Sequence, residues 1–130
     1  MYLIDTSAWI AHFSRSDAFD LRTICSPDER VLCLPVYQEI LQGIRDEAWF
    51  REMTSILQSA RFVEVPMTMA LFDEAVALYR IARRQGRTIR ASADFLVAAA
   101  AIRHDLTVVH RDRDYTAIAS VSALRERTIA

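Results

Sequence analysis

The chain has 130 residues, 17 acids against 16 bases, a formal charge of −1 and 52% hydrophobic residues, which is the make-up of one globular domain spanning residues 1–130. All 16 bases are arginine, so chemistry that relies on lysine is excluded: a Schiff base, a P-loop lysine or a lysine general base. Gly43 and Gly86 are the only glycines, which excludes a glycine-rich phosphate cradle, and Cys25 and Cys33 form no CxxC pair of the zinc or redox kind.

Tyr2-Leu3-Ile4 is a short apolar run that predicts a buried strand ending in Asp5. Thr6 to Phe13 then reads as a helix. Val31 to Leu34 predicts a second strand. Pro35 suits the first turn of the helix that follows, where Val36, Tyr37, Ile40, Leu41 and Ile44 recur at helical spacing. A further helix is expected over Ala48 to Ser59, and a third strand over Phe62 to Val65. Thr68 is placed to cap a long helix running to Arg84, with Gly86 just past its end. Ser92 is placed to cap a helix from Ala93 to about His104. Thr107 to His110 predicts a fourth strand, the acid–base alternation after it a solvated loop, and Leu124 to Ile129 a fifth strand.

Strands alternate with helices, and the strands lack polar alternation. The expected fold is therefore α/β: a three-layer α/β/α sandwich around a mostly parallel sheet. No basic n-region precedes an apolar stretch at the start. The longest apolar run, Phe95 to Ile102, is too short to span a bilayer. A cytoplasmic protein with no membrane partner is expected.

In parallel sheets, ligands bind beyond the carboxyl ends of the strands. Asp5 stands at such an end, with Thr6 and Ser7 beside it, and Asp112 and Asp114 follow the fourth strand. Asp94 opens a helix that is apolar nearly all round, where an unpaired carboxylate is costly. Arg90, four residues upstream, is the simplest partner. Glu39 falls about 60° outside the apolar edge of its helix at ~100° per residue, one turn before Gly43. Each acid alone reads equally well as a cap or a boundary residue. Together they could converge on one end of the sheet, where mutual repulsion calls for a cation. Oxygen-only ligands select a hard ion, Mg²⁺ or Mn²⁺, which suits phosphodiester hydrolysis.

Four segments, in this order, resemble PIN-domain ribonucleases, and among them the VapC-type toxins of type II toxin–antitoxin systems. They are Leu3-Ile4-Asp5-Thr6-Ser7, Glu39-x-x-x-Gly43, Arg90-x-x-x-Asp94-Phe95-Leu96-Val97-Ala98-Ala99 and Val108-Val109-His110-Arg111-Asp112-Arg113-Asp114-Tyr115. The resemblance implies a metal-dependent endoribonuclease whose catalytic acids are Asp5, Glu39, Asp94 and Asp112. Asp5 and Asp94 would be direct metal ligands, Asp114 an accessory acid, and Ser7 the residue that orients a carboxylate. It also implies an RNA substrate, a cognate antitoxin and a homodimer. Many members carry Ser or Thr where His110 stands, so His110 is expected to be a core or loop histidine and not a proton shuttle.

Arg80, Arg83, Arg84, Arg87 and Arg90 crowd the approach to Asp94, and Arg87 and Arg90 are the candidates for RNA phosphate contacts. Trp9, Phe13, Trp49 and Phe50 are expected to pack in the core. The rival readings are a non-catalytic α/β interaction module, whose acids are caps and ion pairs, and a PIN-like nuclease acting on DNA. Phosphoryl-transfer domains with an acceptor aspartate rely on a lysine and are disfavoured.

Overall fold

A computed structural model describes residues 1–129. Leu3 and Ile4 are fully buried, and Tyr2–Ile4 forms strand β1. It pairs in parallel with β2 (Arg30–Leu32) on one side and β4 (Thr107–His110) on the other. β3 (Arg61–Phe62) adds outside β2, and β5 (Arg125–Thr128) outside β4. The order is β3-β2-β1-β4-β5, and every pairing is parallel. The chain therefore starts at the centre, builds outward through β2 and β3, then crosses β1 to build the other half. The reversal lies between β1 and β4, the place in such sheets where a crevice opens at the carboxyl ends.

Six helices connect and cover the strands: α1 (Thr6–Phe13), α2 (Leu34–Gln42), α3 (Glu47–Gln58), α4 (Met69–Arg84), α5 (Ser92–Arg103) and α6 (Arg113–Ala119). This is the expected α/β sandwich. α5 is its most buried helix, with Phe95 and Val97 through Ala101 all buried; its run of alanines lets neighbouring elements approach closely. Trp9 is buried and stacks on Phe13, whose ring meets Trp49 edge-on. Phe13, Trp49 and Phe50 are half-buried against the core.

Several boundaries differ from the sequence reading. β2 ends at Leu32, and α2 begins at Leu34, with Pro35 inside its first turn, where a missing N–H costs nothing. β3 is only two residues long because Glu64 takes a left-handed φ of 59°, which ends the extended ladder. Thr68 caps α4 as expected, its side chain accepting from the Leu71 N–H, and Gly86 follows with φ 74°. Ser92 is not a cap but the first residue of α5. The cap position is held by Ala91, whose side chain offers no acceptor. The segment after β4 is not a loop: it forms α6, capped by Asp112. Among the described residues, no helix is long and apolar enough to cross a membrane.

Candidate metal centre

Asp5 leaves the carboxyl end of β1 and caps α1. Its Oδ2 accepts the Ser7 N–H at 3.1 Å and the Ser7 hydroxyl at 2.6 Å. Ser7 Oγ in turn accepts the Arg111 N–H at 2.9 Å, which ties this turn to the end of β4. Asp112 leaves β4 one strand away and caps α6, its Oδ1 accepting the Asp114 N–H at 2.9 Å. Asp94 enters from the first turn of α5 and is 7% exposed, as is Asp5. Local capping chemistry thus places these aspartates, and the parallel sheet gathers the caps at one end.

Asp94, Asp112 and Asp114 each offer an oxygen within 4.8 Å of the others, so among the described residues they form a group able to hold a metal ion. Asp94 Oδ2 is buried and has no hydrogen-bond partner. The Asp94 carboxyl is pushed up to about 7, first by burial and then by the charges of Asp5 and Asp112; Asp114 adds to this, and the Tyr115 hydroxyl opposes it. A carboxylate this costly to ionise, with an unpartnered oxygen and two further acids close by, fits a hard divalent cation. Asp5, expected as a direct ligand, is not a member of that trio; its Oδ2 accepts from Ser7, and its charge acts on Asp94. It meets Asp94 through Tyr115, whose hydroxyl lies 2.8 Å from Asp5 Oδ1 and 3.2 Å from Asp94 Oδ1.

Glu39 does not join this group. It is exposed on α2 and lines an apolar groove of about 300 Å³ with Trp9, Phe13, Ile40 and Trp49. Nor does Arg90 pair with Asp94, because Arg90 precedes α5 and the i, i+4 geometry of a shared helix is absent. Instead Arg87 and Arg90 line an open trough of about 620 Å³ together with Arg113, Asp112 and Asp114. His110 is a core residue, wholly buried. Its Nδ1 accepts the Asp112 N–H at 3.0 Å, so the proton sits on Nε2, 2.6 Å from Glu126 Oε2. Tyr115 is the residue the sequence reading did not single out. The signal was available only once Asp112 was recognised as a cap, which puts Tyr115 in the first turn of α6.

A central parallel sheet with aspartates gathered at the carboxyl ends of its middle strands defines a class of acidic, metal-centred α/β proteins. A family model described as PIN domain matches residues 2–121. The chain belongs to the PIN-domain family, on the branch of the VapC ribonucleases. Ribonuclease VapC11 of Mycobacterium tuberculosis is 35% identical over 130 residues, covering 96% of both chains. VapC ribonuclease Mb1587 of Mycobacterium bovis shows the same identity and coverage. Among solved structures, VapBC2 of Rickettsia felis, bound to a promoter DNA fragment, superposes with a TM-score of 0.78 at 13% identity, covering 99% of this chain and 98% of that one. VapC20 of Mycobacterium tuberculosis, a sarcin–ricin loop cleaving toxin, superposes at 0.65 with 17% identity, covering 96% of this chain and 99% of that one. At these identities the structural likeness speaks for the fold alone.

Proposed function

We propose that this chain is a toxin of the VapC kind, a single cytoplasmic domain of residues 1–130 that hydrolyses RNA phosphodiester bonds at a bound Mg²⁺ or Mn²⁺. The observation that carries the reading is the trio Asp94, Asp112 and Asp114, whose oxygens lie within 4.8 Å of one another and whose buried member, Asp94, has an unpartnered Oδ2. Those three residues would hold the cation, with Asp5 adjoining and Ser7 orienting Asp5. Once bound, the ion would activate water and stabilise charge developing on the phosphate. The chain's own residues supply the rest. Arg87 and Arg90 line the trough beside Asp112 and Asp114, placed to hold RNA phosphates near the acids. Ser7 fixes the Asp5 carboxylate, and the caps of α1 and α6 prevent Asp5 and Asp112 from swinging into solvent. Glu39, on α2 and outside that trio, is the fourth proposed catalytic acid. Structures of similar fold include a toxin–antitoxin complex from Klebsiella pneumoniae, and a cognate antitoxin and a homodimer are proposed for this chain too.

The test is cleavage of single-stranded RNA with Mg²⁺ or Mn²⁺ supplied. Asp94→Asn and Asp5→Asn should each abolish cleavage while the far-UV circular dichroism stays that of the unaltered chain. Full activity in excess chelator, or in both variants, would overturn the reading. Cleavage of DNA in place of RNA would favour the DNA-directed alternative, and folded protein that binds cation but cuts neither would favour the interaction module.

A further inference from the structure

Tyr115 joins two acids that lie far from it in sequence. Its side chain is wholly buried, with the ring beside His110 at 5.0 Å, so packing alone would be met by phenylalanine. The hydroxyl is the feature that packing leaves unexplained. It points at Asp5 Oδ1 (2.8 Å) and Asp94 Oδ1 (3.2 Å), from the first turn of α6. A phenol carries one proton, and ionised carboxylates only accept. Its one proton is therefore shared between the two acceptors, Asp5 Oδ1 at the shorter contact and Asp94 Oδ1 at the longer. Asp5 is then held at both ends of its carboxylate, by Tyr115 at Oδ1 and by Ser7 at Oδ2. Asp94 is held at Oδ1 alone, which leaves Oδ2 buried and unpartnered, in a carboxylate that offers an oxygen within 4.8 Å of oxygens of Asp112 and Asp114.

We propose that Tyr115 is a positioning residue: its hydroxyl sets the spacing of Asp5 and Asp94 and thereby aims Asp94 Oδ2 at the cation held with Asp112 and Asp114. This rests on the reading of the three aspartates as a cation site. Groups that orient metal ligands from behind usually affect affinity by roughly 10- to 100-fold, and an effect in that range is expected here.

The experiment compares Mn²⁺ binding to the unaltered chain and to Tyr115→Phe, without RNA, by the electron paramagnetic resonance signal of free Mn²⁺. The expected result is a Kd weaker by roughly tenfold or more in the variant, with cleavage of RNA largely restored at high Mn²⁺. An unchanged Kd in a folded variant overturns the proposal. So does a rate loss that Mn²⁺ fails to restore at unchanged affinity, and so does an unaltered chain that binds no Mn²⁺. If Tyr115→Phe does not fold, the unaltered chain is labelled with ¹³C at the tyrosine ζ carbon. Its four tyrosines are assigned by substituting Tyr2, Tyr37 and Tyr79 in turn. A Tyr115 resonance that moves on Mg²⁺ addition supports the proposal, and one that stays fixed overturns it. A chain whose Mn²⁺ affinity depends on Tyr115 but which leaves RNA intact would overturn the ribonuclease reading and not this one.

Discussion

Asp94 is the residue at which folding and function conflict. Its carboxyl, pushed up to about 7 by burial and by Asp5 and Asp112, keeps its proton in the folded chain well above the ordinary value of 3.8. Between those two values the folded chain binds more protons than the unfolded one at this site. Asp94 therefore withdraws stability as pH rises through that window, and its penalty is fully present above about 7. In chelator, the melting temperature of the unaltered chain should fall relative to that of Asp94→Asn as pH rises from 3.8 to about 7. Added Mn²⁺ should recover it most at the upper end, where the carboxylate is ionised. Parallel pH curves for the two proteins would show that Asp94 is not the group responsible. Asp5 and Asp112 drew attention in the sequence because each follows a strand, and Asp94 because it opens an apolar helix. Tyr115 did not, because its meaning lies in acids 110 and 21 residues away. Wheel arithmetic placed Glu39 at the edge of a buried face, and there it lines an apolar groove with Trp9, Phe13 and Ile40.

Among the elements, α6 contributes most to the site and was the least legible. Alternating arginine and aspartate carries no apolar periodicity, so Arg111 to Asp114 reads as solvated loop. The helix forms because Asp112 caps it and because Tyr115 and Ile118 bury completely beneath it. Asp112 caps α6 and, on the proposed reading, also holds the cation, and substitution can separate the two. Asp112→Ala removes both the cap and the carboxylate and should cost about 0.5–2 kcal/mol in urea denaturation with chelator present. Asp112→Ser keeps a capping oxygen and should fold with nearly full stability while losing Mn²⁺ binding as severely as Asp112→Ala. Equal stability of the two variants would mean that the cap contributes little. α5 has the converse design. Its start carries Ala91 where a capping side chain is usual, and Asp94, two residues past Ser92, lends its negative charge to the helix N-terminus instead.

Across the whole molecule, a formal charge of −1 conceals two opposed fields side by side. Asp112 and Asp114 share their trough with Arg87, Arg90 and Arg113. The acids would repel an RNA backbone without a cation, and the arginines would hold it in place. Binding of single-stranded RNA, measured with chelator present, should weaken with salt. Arg87→Ala and Arg90→Ala should each flatten the plot of log affinity against log salt by about 0.7 for every phosphate the arginine neutralises. A slope unchanged in both would assign these arginines to solvent. The trough lies at the carboxyl end of the sheet, where the strand order reverses between β1 and β4. That reversal brings the first residues of the chain against the segment after residue 107, since β1 pairs with β4 from Tyr2↔Thr107 to Ile4↔Val109.

The amino-acid sequence by itself determined the alternation of strands and helices, the burial of α5, the capping aspartates and the absence of lysine chemistry. These are local properties, set by apolar runs, by helix starts and by which side chains exist at all. Tertiary structure alone decided which acids meet. Strand order places Asp5 beside Asp112, the first turn of α5 brings Asp94 to them, and Ser7 fixes the Asp5 carboxylate. It also decided that one buried hydroxyl joins two carboxylates. Those outcomes depend on distances between segments far apart in the chain, which no local periodicity encodes.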